Sequence, residues 1–379
     1  MTSTLSTNRR LKVLVAMSGG VDSSFAAASL AREGCEVVGV TLRVWQDARV
    51  EFASEACPSE KAASRRCCGQ RDMEDAGAVA RVQGFPHYVF DYEDRFREEV
   101  IDPFVAEYLA GRTPNPCIAC NSRLKFGPLM RAAESLGCEK LATGHYARVE
   151  SDADGRYHLL KAKDRAKDQT YFLYTLNQTH LSRLLFPLGE LEKSEVRNIS
   201  RNLGLVTAEK PESMDICFVP GGDYGEVLKK YAPAVIRPGD MVSTDGKVLG
   251  RHEGLAFYTV GQRRGLGVSG GEPLYVIRLD RDRNEVVVGG PESLMSRNAS
   301  GSSAAFVAGP DREPREAFRC QVKIRSSHPG ADAWVRPLGE GRWNIEFDQP
   351  QRAITPGQAA VFYDVDECLG GVTLDDSGR

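Results

Sequence analysis

Ser18-Gly19-Gly20-Val21-Asp22-Ser23-Ser24 constrains this chain more than any other stretch. Before it runs Leu11 to Met17, apolar except for Lys12, the pattern of a strand buried in a parallel sheet. After it, Phe25 to Arg32 is rich in Ala and Leu and reads as a helix, with Gly34 as its stop. Two glycines on such a strand–loop–helix turn let backbone N–H groups approach an anion closely. The helix N-terminus adds unpaired donors and a favourable dipole, and Ser18, Ser23 and Ser24 add hydroxyls. The stretch reads as a phosphate site; the alternative is a Gly-Ser turn with no ligand. It is not a Walker loop, because no Gly-Lys-Ser/Thr closes it.

A length of 379 residues implies two or three domains, and 41% hydrophobic with 27% charged residues is the composition of a soluble globular protein. No apolar run reaches the ~18 residues of a membrane span, so no membrane partner is expected. Met1 to Arg10 is polar and lacks the apolar core of a signal peptide, which points to a cytoplasmic location. Without secretion, ten cysteines argue for thiol chemistry, metal binding or core packing rather than a disulfide scaffold. A net charge of −3 excludes bulk electrostatic attraction to nucleic acid, so RNA contacts would need local basic patches.

Val37 to Leu42 is a second strand, and its alternation with helices predicts an α/β fold: a Rossmann-like parallel sheet covered on both faces. Ligands then bind at the carboxyl ends of the strands, where Leu42 is either an adenine contact or a core leucine. Residues 46–71 lack periodicity and read as an insertion, with Cys57, Cys67 and Cys68 structural or incidental. Asp72 to Gly84 reads as a helix, His87 to Phe90 as a strand, and Asp94 to Ala110 as a helix that Pro103 should kink or split. Pro114 and Pro116 forbid regular structure up to Pro116, which puts Cys117-Ile118-Ala119-Cys120 on a rigid loop entering a helix from Ser122 to Leu136. Thiolates at a helix N-terminus are more reactive and better ligands, yet this Cys-x-x-Cys alone fits half a zinc site, a redox pair or chance. Lys140 to Thr143 is another buried strand, ending at Gly144-His145, where His145 is a nucleotide or RNA contact or else a hydrogen-bonded structural histidine.

Lys161, Lys163, Arg165 and Lys167 precede Tyr171-Phe172, a pattern that suits RNA or, more blandly, a solvated hairpin followed by a helix. Glu192 to Leu203 reads as a helix. By itself Cys217 would be a buried core thiol. From about residue 220 short alternating β runs replace helices, which predicts a small mainly-β connecting domain and then a C-terminal β barrel. The expected divisions are 1–210, 211–293 and 294–379. Arg263-Arg264 lie in a Gly-rich basic loop.

The loop resembles that of the ATP pyrophosphatases (adenine nucleotide alpha-hydrolase-like fold), which split ATP to AMP and pyrophosphate and so adenylate a substrate oxygen. With Gly-Arg-Thr-Pro-Asn-Pro (111–116), Thr-Gly-His-Tyr (143–146), Lys-Asp-Gln-Thr-Tyr-Phe-Leu (167–173), Asp-Ile-Cys-Phe (215–218) and Tyr-Thr-Val-Gly-Gln-Arg-Arg-Gly-Leu-Gly (258–267), the ordered set resembles the tRNA-specific 2-thiouridylase family, from about residue 11 to 365. The resemblance implies that Ala16, Met17, Ser18, Gly19, Gly20, Val21, Asp22 and Ser23, with Leu42 and Gly144, bind ATP. It implies that Asn115, Pro116 and Cys117 face the target base and that His145, Lys167, Asp168, Gln169, Arg325, Ser326 and Gln358 contact tRNA, which the Arg263-Arg264 loop grips together with the barrel. Cys120 matches the family's first catalytic cysteine and Cys217 the one that carries persulfide sulfur. The implied partners are a tRNA with a wobble uridine in its anticodon loop and a sulfur-donor protein such as a cysteine desulfurase or relay protein.

The implied chemistry starts with attack of the uridine C2 oxygen on the α-phosphorus of ATP. Mg²⁺ offsets the phosphate charge, with Asp22 as a metal or water ligand, and sulfur then displaces AMP. Many family members have Asp where this chain has Cys117. Two sulfur routes stay open: a persulfide on Cys217 resolved by Cys120, or a 4Fe–4S cluster held by Cys117, Cys120 and Cys217 with one open iron, which the extra thiol favours. The competing functions are another adenylating synthetase of the same fold and a non-catalytic RNA-binding or metal-sensing module.

Overall fold

A computed structural model describes residues 10–44, 69–212, 216–233, 236–267 and 272–376. Cys57, Cys67, Cys68 and Asp215 lie outside the described residues.

Strands β1 (Lys12–Ala16), β2 (Glu36–Arg43), β3 (His87–Asp91), β4 (Lys140–Thr143) and β7 (Leu184–Leu185) form a parallel sheet in the order β3-β2-β1-β4-β7. Alternation along β1 feeds two cores. Val13 and Val15 pack on one face with Phe25, Ala26, Ala27 and Leu30 of helix α1 (Val21–Arg32). Leu14 packs on the other with Val40, Phe96, Phe104 and Leu129. Chain order reverses at β1, with β2 on one side and β4 on the other, so the loops after β1 and β4 open a crevice between them.

The helix expected over 94–110 keeps its course past Pro103 through a π-helical turn. Helical Glu93–Phe96 passes into π-helical Arg97–Ile101 and then helical Asp102–Leu109. Proline has no N–H for the Glu99 carbonyl four residues back; Arg123 Nη1 donates to that carbonyl instead, at 3.2 Å. Residues 117–136 differ from the sequence expectation. The helix begins at Pro116, not Ser122, and runs as Pro116–Cys120, a π-helical turn Asn121–Lys125 and helix Pro128–Ser135. Proline is well suited to a first helical position, and Asn115 caps the turn by accepting from the N–H groups of Cys117 and Ile118. Both cysteines therefore lie within helix, not on a loop before it.

Strands β5 (Ala147–Ser151) and β6 (Tyr157–Lys161) form a hairpin outside the parallel sheet. After it, the expected helix is only a 3₁₀ turn, Thr170–Phe172. A helix also persists where only β structure was expected, Tyr224–Tyr231, capped by Asp223 on the Gly225 N–H. Strands β8 (Gly239–Ser243), β9 (Val248–His252), β10 (Tyr275–Asp280) and β11 (Glu285–Gly289) form a small sheet over Met241, Val276, Val286 and Val288.

The barrel comprises β12 (Met295–Phe306), β13 (Phe318–Lys323), β14 (Ala331–Gly339), β15 (Arg342–Arg352), β16 (Ala359–Asp364) and β17 (Glu367–Asp376). Its order is β12-β15-β14-β13-β16-β17, closed by β12 against β17. Val335, Trp343, Ile345, Phe347 and Phe362 fill it. The β5–β6 hairpin extends this barrel sheet, with Leu160 opposite Glu367. Among the described residues no helix is long and apolar enough to cross a membrane.

Candidate active site

The loop between β1 and α1 is shaped by two glycines. Gly19 has φ +71°, and a Cβ there would lie 2.1 Å from the Asp72 carbonyl oxygen, where helix Gln70–Gln83 begins. A Cβ on Gly144 would lie 2.6 Å from Ser23 N and 2.8 Å from Asp22 C, so only glycine lets the end of β4 meet the first turn of α1. Ser23 Oγ accepts from the Ser18 N–H at 3.0 Å, which curls the loop back on itself. Ser18 is exposed while Gly19, Val21 and Ser23 are buried, and Ala16 and Met17 end the strand beneath. Leu42 packs into the core with Leu14 and Val40.

Asp22 does not stand ready as a metal ligand. Each of its oxygens lies 2.7 Å from Lys193 Nζ, and Tyr146 Oη donates to Oδ1 at 3.0 Å. Burial and the Asp22 charge push the Tyr146 pKa far up, so its hydroxyl remains a donor. Lys193 also lies 3.3 Å from Glu212, which accepts from Lys167 Nζ at 2.6 Å. Burial favours a neutral Glu212, but Lys167 and Lys193 outweigh it and hold the carboxyl below its usual range. On the other side of the loop Lys210 Nζ donates to the Gly19 carbonyl at 2.9 Å and pairs with Asp72 and Asp75. Burial opposes the Lys210 charge and the two carboxylates prevail, raising its pKa. Arg197 ties these two lysines' segments together by donating to the carbonyls of Ala208 and Lys210. Sequence reasoning missed Lys193 and Lys210. Lys193 opens a helix and Lys210 lies in the loop after it, and neither position says which distant segment the side chain meets.

The residues expected to touch tRNA divide into two groups. Arg263, Arg264, Arg325 and Ser326 are exposed. Arg325 Nη1 also donates to the Arg352 carbonyl at 3.3 Å, and the remaining residues carry internal bonds. Asp168 accepts from Ala162 N and Thr170 Oγ1, and Gln169 Oε1 accepts from the Tyr146 N–H at 2.9 Å. Gln358 Nε2 donates to the Thr113 carbonyl at 2.9 Å. His145 Nδ1 lies 2.7 Å from Thr143 Oγ1, and its ring sits between Phe126 and Phe186. Burial first, then Lys125, pushes its pKa well below the usual imidazole range, so the ring is neutral at pH 7. The basic run is not a bare RNA patch either: Lys161 donates to the Val365 carbonyl, Lys163 pairs with Glu195, Arg165 with Asp366 and Lys167 with Glu212.

Cys117 is exposed; Cys120 and Cys217 are half-buried and pack against the main core beside Ile118 and Ile216. Phe218 anchors the Cys217 segment, with its ring edge-on to Phe96 at 5.6 Å and to Phe104 at 5.1 Å. Among the described residues no group of three Cys, His, Asp or Glu side chains is placed to hold a metal ion.

Residues 11–221 match the family described as "tRNA methyl transferase HUP domain", 225–290 "tRNA methyl transferase PRC-barrel domain" and 301–374 "Aminomethyltransferase beta-barrel domain". The chain is 47% identical over 367 residues to the tRNA-specific 2-thiouridylase MnmA of Symbiobacterium thermophilum, covering 96% of this chain and 92% of that protein. It is 48% identical to the MnmA of Solibacter usitatus, covering 95% and 98%. It is also 48% identical to that of Carboxydothermus hydrogenoformans, covering 97% and 98%. With this kinship running through sheet, connecting domain and barrel alike, the chain belongs to the tRNA-specific 2-thiouridylase family.

Proposed function

We propose that this protein is a tRNA-uridine 2-sulfurtransferase: it uses ATP to adenylate the C2 oxygen of a wobble uridine and then replaces that oxygen with sulfur. The observation that carries the reading is kinship to curated 2-thiouridylases over nearly the whole chain. The matched family descriptions speak of methyl transfer. The loop from Ser18 to Ser23, with lysines on both sides, instead suits a triphosphate.

ATP phosphates would lie over the N-terminus of α1. Lys193 and Lys210 supply local positive charge there, and an incoming phosphate competes with Asp22, Asp72 and Asp75 for them. Mg²⁺ would offset phosphate charge, while Asp22 is engaged by Lys193 and Tyr146. The uridine oxygen attacks the α-phosphorus, pyrophosphate departs, and the C2–O bond becomes a bond to AMP. The base must leave its stack, a cost of about a few kcal/mol that a single-stranded anticodon loop keeps low.

For the sulfur, Cys120 and Cys217, both half-buried against one core cluster, support the persulfide route. A donor protein leaves a sulfane sulfur on Cys217. Its terminal sulfur attacks C2 and expels AMP. The Cys120 thiolate then attacks Cys217 Sγ, breaking the S–S bond to the base, so that 2-thiouridine leaves and a Cys120–Cys217 disulfide remains for a thiol reductant. Cys117, exposed on the same turn as Cys120, faces the base. Exposed Arg263, Arg264, Arg325 and Ser326 would hold the tRNA, and the cytoplasm is where the tRNA, ATP and sulfur donor meet.

The test is nucleoside mass spectrometry on unmodified tRNA incubated with the protein, Mg-ATP and a persulfide donor. We expect 2-thiouridine with matching AMP, lost in Cys217→Ser. Iron and acid-labile sulfide are measured on the same protein purified without oxygen. Stoichiometric iron that is lost in Cys117→Asp together with activity would overturn the persulfide route. Pyrophosphate release driven by a small acid or amine without RNA would overturn thiolation.

A further inference from the structure

The residues just before the cysteine helix are held by the barrel. Thr113 N donates to the Pro356 carbonyl at 2.8 Å, and Gln358 Nε2 donates to the Thr113 carbonyl at 2.9 Å. The backbone donor and acceptor of one residue are thus both satisfied by a turn 243 or more residues later in the chain, as in a single rung of a ladder. Gly357 between those two partners has φ +89°, and a Cβ there would lie 2.8, 2.9 and 3.0 Å from Thr113 N, C and O. The turn itself is fixed to β17, with Gly357 N donating to the Leu374 carbonyl and Leu374 N to the Gln358 carbonyl, both at 2.8 Å. One residue earlier, Arg112 reaches the same strand, to the Leu374 carbonyl at 3.2 Å and Asp375 at 3.3 Å.

From Thr113 to the cysteines the chain has little freedom. Pro114 and Pro116 fix two φ angles and restrict the residues before them, and Asn115 caps the turn that carries Cys117 and Cys120. A displacement at Thr113 is therefore passed to both thiols instead of being absorbed.

We propose that Gln358 is a positioning residue for the Cys117–Cys120 turn, acting through the Thr113 carbonyl, and not an RNA ligand. The barrel then does more than grip tRNA: its β16 entry turn sets where the reactive turn stands. The kinetic part of the test rests on the thiolation reading; the chemical part does not.

Two variants of the full chain separate the roles. Gln358→Leu keeps the bulk and removes the donor. Gly357→Ala pushes a methyl against Thr113 without removing any group that could touch RNA. Three quantities are measured: tRNA Kd without ATP, single-turnover thiolation at saturating tRNA, and the iodoacetamide alkylation rates of Cys117 and Cys120 mapped by mass spectrometry without substrate. Both variants are expected to keep the tRNA Kd, to change both alkylation rates, and to lose up to about 10²-fold in single-turnover rate, the scale of an ångström-sized misplacement. A weakened tRNA Kd in Gln358→Leu, with saturated rate and alkylation unchanged, overturns the proposal and makes Gln358 an RNA ligand. Wild-type protein that forms no 2-thiouridine refutes the thiolation reading; the alkylation rates then decide alone, and unchanged rates in both variants overturn the positioning role.

Discussion

Single residues set the nucleotide loop, and each has a distinct failure. Gly144 is defined by what stands opposite it: a methyl would enter the backbone of Asp22 and Ser23. Gly144→Ala should cost roughly 1–3 kcal/mol of stability, the range for overpacking, and weaken ATP binding; urea unfolding and ATP titration check the two parts. Lys193 is defined by charge. Lys193→Met leaves Asp22 facing the triphosphate without its cation, so the KM for ATP should rise by about tenfold or more, equivalent to ~1.4 kcal/mol. A KM unchanged in steady-state pyrophosphate release would show that Lys193 only braces Asp22. Ser18, Ser23, Gly19 and Gly20 were legible in the sequence because their chemistry is local; Gly144 was not, because what forbids a side chain there stands across the fold. Lys193 and Lys210 were not, because their partners lie 171 and 138 residues away.

At the scale of elements, one interrupted helix anchors the Cys217 segment. Pro103 does not end its helix, because a π-helical turn and Arg123 take up the missing bond. Phe96 and Phe104, on either side of that turn, then pack edge-on against Phe218. Phe218 is 1% exposed, and Phe218→Ala should cost about 3–5 kcal/mol. In a variant that stays folded, the Cys217 segment loses its anchor, so thiolation should fall while ATP binding holds. The comparison of the two assays checks this: equal loss in both would mean general unfolding. Helix periodicity located these elements, but proline chemistry alone could not tell a kink from a π turn. That choice depended on a guanidinium from another element reaching the Glu99 carbonyl.

At the scale of the molecule, the β5–β6 hairpin binds the catalytic sheet's domain to the barrel. His158 is its titratable element, with Nδ1 2.8 Å from Glu367 and Nε2 3.2 Å from Asp152. Its bond to Glu367 is the main cause raising its pKa, with burial opposing and Asp152 assisting. A raised imidazole pKa means that the charged pairing is fully present below the unfolded value near pH 6.5 and is lost as pH rises through the folded value. The gap in Tm between the wild type and His158→Gln should therefore be largest near about pH 6 and close toward about pH 8; a gap that widens with pH would refute this. Asp366, shared by Arg148 and Arg165, lies beside it, so the junction should also weaken in high salt.

The sequence by itself determined the strand–loop–helix turn at Ser18–Ser24, the parallel α/β sheet and the β-rich remainder. Each of these is written in local order: period, glycine, proline and capping chemistry act over a few residues. The tertiary structure alone decided which lysines meet the loop, that the 147–161 hairpin joins the barrel, and that Thr113 is held by the turn before β16. Those are pairings between charges, edges and backbone groups far apart in the chain. A side chain's type says that it needs a partner when buried, and only the fold says which partner arrives.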